Sequence, residues 1–232
     1  MKPGVLIAVS TYNQAEFFLP ACLEYIKAQD YGDFFCVVGD DHSTDNTAHV
    51  VKKFAKDSRF LYHLTPVKYG RNSNFYNWAA KTYTDFDYFI TCDGDNFLLE
   101  NHTSLLMDKM LSGDYVAVYW LARNVVYADD NKTVIRQYTR GFDWDINRFV
   151  YGTSYNNWID MSDILFKRDK FIEAGGYLED RGFQDYSIML RLAIKFDNKI
   201  ACVPEIITHY SVRESSHART DDDSQQAHME IL

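Results

Sequence analysis

The sequence has little positive charge, no basic cluster and no long apolar run. Its 24 Lys and Arg stand against 33 Asp and Glu, which gives a formal net charge of -9. Such a balance argues against nucleic acid as the main partner, because phosphate backbones are bound mainly by Lys and Arg. No apolar run approaches the roughly 20 residues of a membrane span. The start, Met1-Lys-Pro-Gly, leads directly into an apolar segment, so we expect no signal peptide and no transmembrane segment.

Cysteine is scarce, and its spacing forms no pairs. The four cysteines are Cys22, Cys36, Cys92 and Cys202. Without paired spacing they indicate no disulfide framework and are typical of reduced core residues in a cytosolic protein. The sequence therefore predicts a cytoplasmic location.

The glycine-rich phosphate-binding motifs are also missing. No Gly-x-Gly-x-x-Gly follows the first apolar run, which disfavours a dinucleotide fold, and no Gly-x4-Gly-Lys-Ser/Thr occurs anywhere, which excludes a P-loop. The sequence therefore predicts neither of these two glycine-rich phosphate loops.

The first hundred residues alternate between apolar runs and helical periodicity. With 232 residues, 47% hydrophobic and 16% aromatic, the chain is long enough for one large α/β domain or two small ones. The predicted strands are Val5–Ser10, Phe34–Val38, Phe60–Leu64 and Asp87–Cys92, and the predicted helices are Glu16–Ala28, Thr44–Lys56 and Asn72–Thr82. This alternation predicts an α/β fold with a doubly wound, mostly parallel central sheet and helices on both faces.

The second half is less regular. Its predicted elements are a helix over Asn101–Leu111, a strand over Tyr115–Leu121, a small additional β-hairpin (Val125–Tyr127 with Thr133–Tyr138), a long aromatic loop (Gly141–Trp158), a strand over Ile164–Lys167, helices over Lys170–Ala174 and Phe183–Ile194, and a strand over Lys199–Val203. Residues 215–232 are polar and acidic, as in a tail or a linker to further domains.

Polar side chains follow three of the predicted strands. Thr11-Tyr-Asn13 follows the first, Asp40-Asp41 the second and Asp93-Gly-Asp95 the fourth. Ligands of open α/β sheets bind beyond the carboxyl ends of the strands, so these groups are expected to converge along one edge. Two carboxylates around Gly94 would fit a hard divalent cation with a phosphate on its far side. The alternative is an ordinary polar turn, since Asp and Gly are common turn residues.

Five motifs in this order resemble the family 2 glycosyltransferases with the GT-A fold, and the resemblance runs from about residue 4 to residue 213. They are Val9-Ser-Thr-Tyr-Asn13, Val38-Gly-Asp-Asp-His-Ser-Thr-Asp-Asn-Thr47, Asp93-Gly-Asp95, Gly175-Gly-Tyr177, and Gln184-Asp185 with Arg191. The resemblance implies inverting transfer from a nucleoside-diphosphate sugar to a hydroxyl of a glycan or other acceptor, with Mn2+ or Mg2+. It also implies one domain over residues 1–214, with a nucleotide-sugar half of about 1–100 and an acceptor half of about 101–214.

The resemblance implies roles for eleven residues. Thr11, Tyr12 and Asn13 would border the base. Asp40 or Asp41 would accept a hydrogen bond from the base or ribose, and Arg71 would reach the nucleotide. Asp93, with Gly94, would face the ribose or the metal. Asp95 would hold the metal, and His209 could be a further metal ligand. Asp185 would be the catalytic base. Uracil is the predicted base.

Each role has a plainer alternative. Asp40 and Asp41 could form a turn leading to a helix cap at Ser43 or Thr44, and Asp185 could merely cap its helix. His209 could be a structural histidine, and Arg71 a solvated surface charge. Tyr151, Tyr155 and Trp158 could be core residues or an acceptor platform.

The sequence departs from the family at two positions. His42 replaces the usual Gly or Ser, and Gln184 replaces the usual Glu before the base. The absence of Gln-x-x-Arg-Trp disfavours a processive polymerase.

Two other functions stay open. A nucleotidyltransferase acting on sugar phosphates would carry a glycine-rich basic loop after the first strand, where this chain has Ser10-Thr-Tyr-Asn-Gln14. A non-catalytic module that binds nucleotide sugars is the other, because Gln184 departs from the family pattern.

Overall fold

The computed structural model describes residues 4–127, 134–139, 164–178 and 184–212. The predicted aromatic loop with Tyr151, Tyr155 and Trp158, the hairpin tip and the acidic tail lie outside the described residues. In chain order the elements are β1 (Val5–Thr11), α1 (Phe18–Lys27), β2 (Phe34–Asp40), α2 (Thr47–Phe54), β3 (Phe60–Leu64), α3 (Asn72–Thr82), β4 (Tyr88–Asp93), β5 (Asn96–Leu98), α4 (His102–Leu111), β6 (Ala117–Tyr127), β7 (Val134–Thr139), β8 (Leu165–Lys167), α5 (Arg168–Glu173), α6 (Gln184–Lys195) and β9 (Ile200–Val212).

One mixed sheet organises the described residues. Its order is β3-β2-β1-β4-β8-β6-β9-β5, with β7 paired to β6. β1 runs parallel to β2 and β4, and β2 runs parallel to β3, so the first half is the predicted parallel sheet. β8 is antiparallel to β4 and β6, whereas β6 is parallel to β9. The predicted hairpin is confirmed, because β7 pairs antiparallel with β6 and Thr139 lies opposite Ala122.

Apolar side chains of β1 alternate between two cores, which explains why its apolar run is almost continuous. Ile7 and Val9 face the core under α1, α2 and α4, and Leu6 and Ala8 face the core under α3, α5 and α6. Helices therefore cover both faces of the sheet, as predicted.

Gly39 of β2 shows how closely α3 packs on the sheet. A Cβ atom there would lie 2.3 Å from the ring of Phe75 in α3, so only glycine allows this approach. The position of α3 matters below, because this helix holds several groups of the site.

The four cysteines are buried free thiols, which confirms their prediction as reduced core residues. Within the described ranges, no helix has both the length and the apolar character needed to cross a bilayer.

Candidate functional site

The carboxyl ends of β1, β2 and β4 meet at one edge of the sheet. Thr11 lies opposite Asp40 in the β1–β2 ladder, and Ser10 lies opposite Asp93 in the β1–β4 ladder. The three polar segments singled out in the sequence therefore lie side by side, at the edge where open α/β sheets bind their ligands.

The loop after β1 is anchored to the loop after β2. Asn13 has a left-handed backbone (φ 53°), its N–H donates to Ser43 Oγ at 2.9 Å, and its Oδ1 accepts from Thr44 N at 2.7 Å. Thr11 is buried and donates to Gln14 Oε1 at 2.9 Å. The third residue predicted to border the base is Tyr12, and its aromatic ring is exposed.

Tyr12 is 43% exposed. The Nζ atom of Lys68 lies 3.9 Å from the centre of its ring, a cation–π contact. The structure thus presents an aromatic face and a cation together at the edge of the sheet.

The buried carboxylate of Asp40 accepts hydrogen bonds from one backbone group and one side chain. It is 2% exposed, and its two oxygens accept from Ser43 N at 2.8 Å and from Tyr62 Oη at 2.9 Å. Burial, followed by the bond to Asp40, raises the pKa of Tyr62 to about 12. Asp40 therefore stabilises the turn that follows β2, and its role toward the base or ribose stays a prediction.

Asp41 supports the segment that leads to α3. Its carboxylate accepts from Tyr69 N at 2.5 Å and from Gly70 N at 2.7 Å. His42, which has a left-handed backbone (φ 63°), donates from Nε2 to the Thr65 carbonyl at 2.9 Å. Arg71 follows this segment as an exposed residue with extended backbone, directly before α3.

The start of α2 lies three residues after the approximate start predicted at Thr44, and neither Ser43 nor Thr44, the alternative caps, caps the helix. The helix begins at Thr47, and Asp45 Oδ1 accepts from Thr47 N at 3.0 Å and from its hydroxyl at 2.6 Å. Burial raises the pKa of Asp45, but hydrogen bonds from Thr47 and Ala15 outweigh it and the net pKa is lowered. Ser43 and Thr44 instead bind Asn13, because the loops after β1 and β2 pack against each other.

Asp93 at the end of β4 is held by two donors from α3. Its Oδ1 accepts from Asn72 Nδ2 at 2.7 Å and from Tyr76 Oη at 2.6 Å. Burial, reinforced by Asp93, raises the pKa of Tyr76 well above its ordinary value, so this phenol stays protonated and donates. The sequence reasoning did not identify Asn72 or Tyr76, although their i, i+4 spacing places both on one face of α3.

Gly94 packs against β1. Its N–H donates to Ser10 O at 2.9 Å. A Cβ atom at this position would lie 2.5 Å from Gln14 Oε1 and 3.1 Å from Ser10 O. The turn between Asp93 and Asp95 therefore needs glycine for packing, a reason that the sequence did not reveal.

Asp185 lies in the first turn of α6 and is only 6% exposed. Its Oδ1 accepts from Tyr186 N at 2.8 Å. The preceding residue, Gln184, donates to Ser73 in α3 at 3.1 Å. The start of α6 is thereby tied to the helix that holds Asp93.

The Gly175-Gly176 loop is fixed from two sides. Asn77 of α3 bonds both backbone groups of Tyr177 at 2.8 Å, and a Cβ atom on Gly176 would lie 2.3 Å from Asn77 Oδ1. Arg191 of α6 donates to the carbonyls of Ala174 and Gly176. Burial lowers the pKa of Arg191. Both glycines have positive φ, as this tight loop requires.

Asp93 and Asp95 are the residues that fit a divalent cation. Two carboxylates on one turn are hard oxygen ligands, and phosphate and water would complete the shell. His209 lies on β9 opposite Phe97 of β5, and burial lowers its pKa. Among the described residues, no three His, Cys, Asp or Glu side chains are grouped to hold a metal. A metal-ligand role for His209 stays a prediction.

The chain matches the model of glycosyl transferase family 2 over residues 6–168. Over 113 residues it is 34% identical to the GalNAc(5)-diNAcBac-PP-undecaprenol beta-1,3-glucosyltransferase of Campylobacter jejuni, an alignment covering 48% of this chain and 36% of that protein. It is 31% identical over 113 residues to an N-acetylglucosaminyltransferase of Azorhizobium caulinodans, covering 47% of this chain and 28% of that protein. The aligned part is thus about a third of each relative.

Solved structures share the fold at low sequence identity. S. aureus TarS in complex with UDP-GlcNAc superposes with a TM-score of 0.71 at 15% identity, over 98% of this chain and 65% of that one. The mannosyltransferase PcManGT of Pyrobaculum calidifontis, in complex with GDP-Man and Mn2+, superposes with a TM-score of 0.71 at 20% identity, over 94% and 59%. The family match and these superpositions confirm what the motifs predicted: the chain belongs to glycosyl transferase family 2 and has the GT-A fold.

Proposed function

We propose that the chain is a catalytic domain, spanning residues 1–214, that moves a sugar with inversion from a UDP-sugar to a hydroxyl of a glycan or other acceptor. Family membership supports the reaction class. TarS binds UDP-GlcNAc and PcManGT binds GDP-Man, so nucleotide-sugar donors occur on this fold. The observation that carries the proposal is a pair of contacts made by α3. The helix donates a hydrogen bond to Asp93 at the edge of the sheet, and it accepts one from Gln184, the residue before Asp185 in the first turn of α6.

The donor half uses the edge formed by β1, β2 and β4. The exposed ring of Tyr12 provides a face for the base, and Asp41 and Arg71 border the same edge. Asp95, with Asp93, would hold Mn2+ or Mg2+, which when bound neutralises the charge that builds on the departing diphosphate. The two donors on Asp93 keep its carboxylate in one orientation.

The acceptor half uses Asp185. A sugar hydroxyl has a high pKa, so a carboxylate must take its proton as attack proceeds, and inversion needs only one such base. The helix N-terminus favours the ionised form of Asp185. Its low exposure keeps most of the carboxylate away from bulk water.

The substitution Asp185→Asn tests the proposal. The change keeps the side-chain shape and removes its basicity, so kcat should fall by roughly 10²–10⁴-fold while the affinity for UDP stays the same. The rate is measured as UDP release from UDP-GlcNAc and UDP-Glc with a panel of saccharide acceptors and Mn2+, and UDP affinity by calorimetry.

Asp169→Asn is the matched control. Asp169 also lies in the first turn of a helix, and its Oδ1 accepts from the next backbone N–H at 2.8 Å, as that of Asp185 does. If Asp185 only caps its helix, both variants should keep full activity, because Asn caps about as well as Asp. Normal transfer by folded Asp185→Asn would remove this residue from the mechanism.

A further inference from the structure

Gln184 departs from the family pattern, and the structure shows what its amide does. The side chain is 7% exposed. Its Nε2 donates to the hydroxyl of Ser73 at 3.1 Å and to the carbonyl of Leu178 at 2.7 Å. The bonds join the first turn of α6 to α3 and to the segment that follows Gly175-Gly176. They fix the residue directly before Asp185.

The bond to the Leu178 carbonyl requires a donor at position 184, whereas the Ser73 hydroxyl can donate or accept. An amide nitrogen carries two N–H groups, whereas an ionised carboxylate only accepts hydrogen bonds. The oxygen of a carboxylate at this position would face the carbonyl oxygen of Leu178, and two acceptors cannot form a hydrogen bond. Almost no water reaches the site to replace that bond. Burying an unpaired charge of that kind is costly. The surroundings of this position therefore match glutamine and not the glutamate of the family.

The same two turns of α3 also hold the donor side, through residues on an adjacent face of the helix. Asn72 and Tyr76 bond Asp93 Oδ1, and Ser73 is the completely buried residue that receives Gln184. Asn77, one turn after Ser73, forms hydrogen bonds with both the N–H and the carbonyl of Tyr177. One short helix thus connects the carboxylate at the end of β4 with the first turn of α6.

We propose that Gln184 is a positioning residue, which sets Asp185 relative to Asp93 by anchoring the first turn of α6 to Ser73. This rests on the proposed role of Asp185 as the base. A displacement of about 1 Å in a catalytic group can cost on the order of 10²-fold in rate, so two hydrogen bonds beside the base affect turnover. The proposed nucleotide site uses the side chains after β1, β2 and β4, and neither of these two hydrogen bonds reaches those side chains.

Gln184→Met tests the inference, because it keeps the length of the side chain and removes both donors. We expect kcat to fall by about 10- to 10²-fold with the KM for UDP-GlcNAc unchanged. Gln29→Met is the matched control: Gln29 is equally buried, and its Nε2 donates to the Leu98 and Leu99 carbonyls, next to α4. That variant should lose stability and keep its kcat.

The pH profile separates positioning from general destabilisation. In Gln184→Glu, a protonated carboxyl regains one O–H donor, so the ratio of its kcat to that of the wild type should rise as the pH falls. Ser73→Ala, which removes only one acceptor, should lower kcat several-fold and is the decisive variant if Gln184→Met does not fold.

Two outcomes overturn the inference in different ways. If Asp185→Asn is inactive while Gln184→Met and Ser73→Ala turn over at the wild-type rate, the base is correct and the positioning role is wrong. If Asp185→Asn transfers normally, the proposed base is wrong and the positioning role is lost with it. If Gln29→Met and Gln184→Met lose the same share of kcat, the loss in Gln184→Met reflects a lower stability of the whole protein and the positioning role is wrong.

Discussion

At the residue scale, the carboxylates of the candidate site differ in what their oxygens already bind. Asp40 is buried, and both of its carboxylate oxygens already accept hydrogen bonds from Ser43 and Tyr62. Asp93 accepts two hydrogen bonds and stays oriented at the end of β4. Asp95, half-buried directly before β5, is the carboxylate that we propose as a metal ligand.

Asp95→Ala should abolish transfer and weaken the metal-dependent part of donor binding, since a cation on this turn loses a carboxylate ligand. The fold should be intact, because Gly94 and Asp93 keep their contacts with β1 and α3. Calorimetry with UDP, in the presence and absence of Mn2+, measures the effect. Asp87→Ala, an exposed Asp at the opposite end of β4, is the control. UDP binding that stays as Mn2+-dependent in Asp95→Ala as in the wild type would contradict the assignment.

At the element scale, α3 carries more of the site than its sequence suggests. It packs Phe75 on Gly39 of β2, and its polar residues contact β4, α6 and the Gly175-Gly176 loop. The helix is therefore both a structural support of the sheet and the connection between the two halves of the proposed active site.

Asn77→Ala should destabilise the protein by about 1–3 kcal/mol, because it leaves the N–H and carbonyl of Tyr177 without their partner. Urea unfolding measures the change. Asn74→Ala on the same helix is the control, since Asn74 Oδ1 is buried without a hydrogen-bond partner in the described part of the chain. If Asn77→Ala lowers the free energy of unfolding no more than Asn74→Ala does, the two hydrogen bonds between Asn77 and Tyr177 add nothing to stability.

At the scale of the whole molecule, the proposed nucleotide site lies at the edge of the parallel half of the sheet, and Asp185 belongs to the second half of the chain. β8 and α5 join these halves, since β8 pairs with both β4 and β6. Ligand binding at the edge of such a structure should stabilise the folded state as a whole.

UDP with Mn2+ should raise the melting temperature by mass action, with about 2.7 kcal/mol of stabilisation at a hundredfold excess over Kd. GDP and CMP at the same concentration should give smaller shifts, because uracil is the predicted base. Thermal shift assays with each nucleotide, with and without Mn2+, provide the comparison. A larger shift with GDP or CMP than with UDP would show that the predicted base is wrong.

The sequence by itself determined the local elements of the first half and the family. The bounds predicted for β3 and α3 are those observed, because apolar periodicity and flanking turn residues act over a few neighbours. The motifs after β1, β2 and β4 also predicted one shared edge, since parallel strands of an open sheet place their carboxyl ends together.

Only the tertiary structure decided which strands extend and what each polar group bonds. The strand predicted over Tyr115–Leu121 and the hairpin strand predicted over Val125–Tyr127 form one continuous β6. β9 was predicted to end at Val203 but continues to Val212, and the three-residue β5 was not predicted. These segments become strands because they pair with one another over long sequence separations. The partners of Asp93 and Gln184 lie on α3, far from both in sequence, so packing of that helix on the sheet was needed to reveal them.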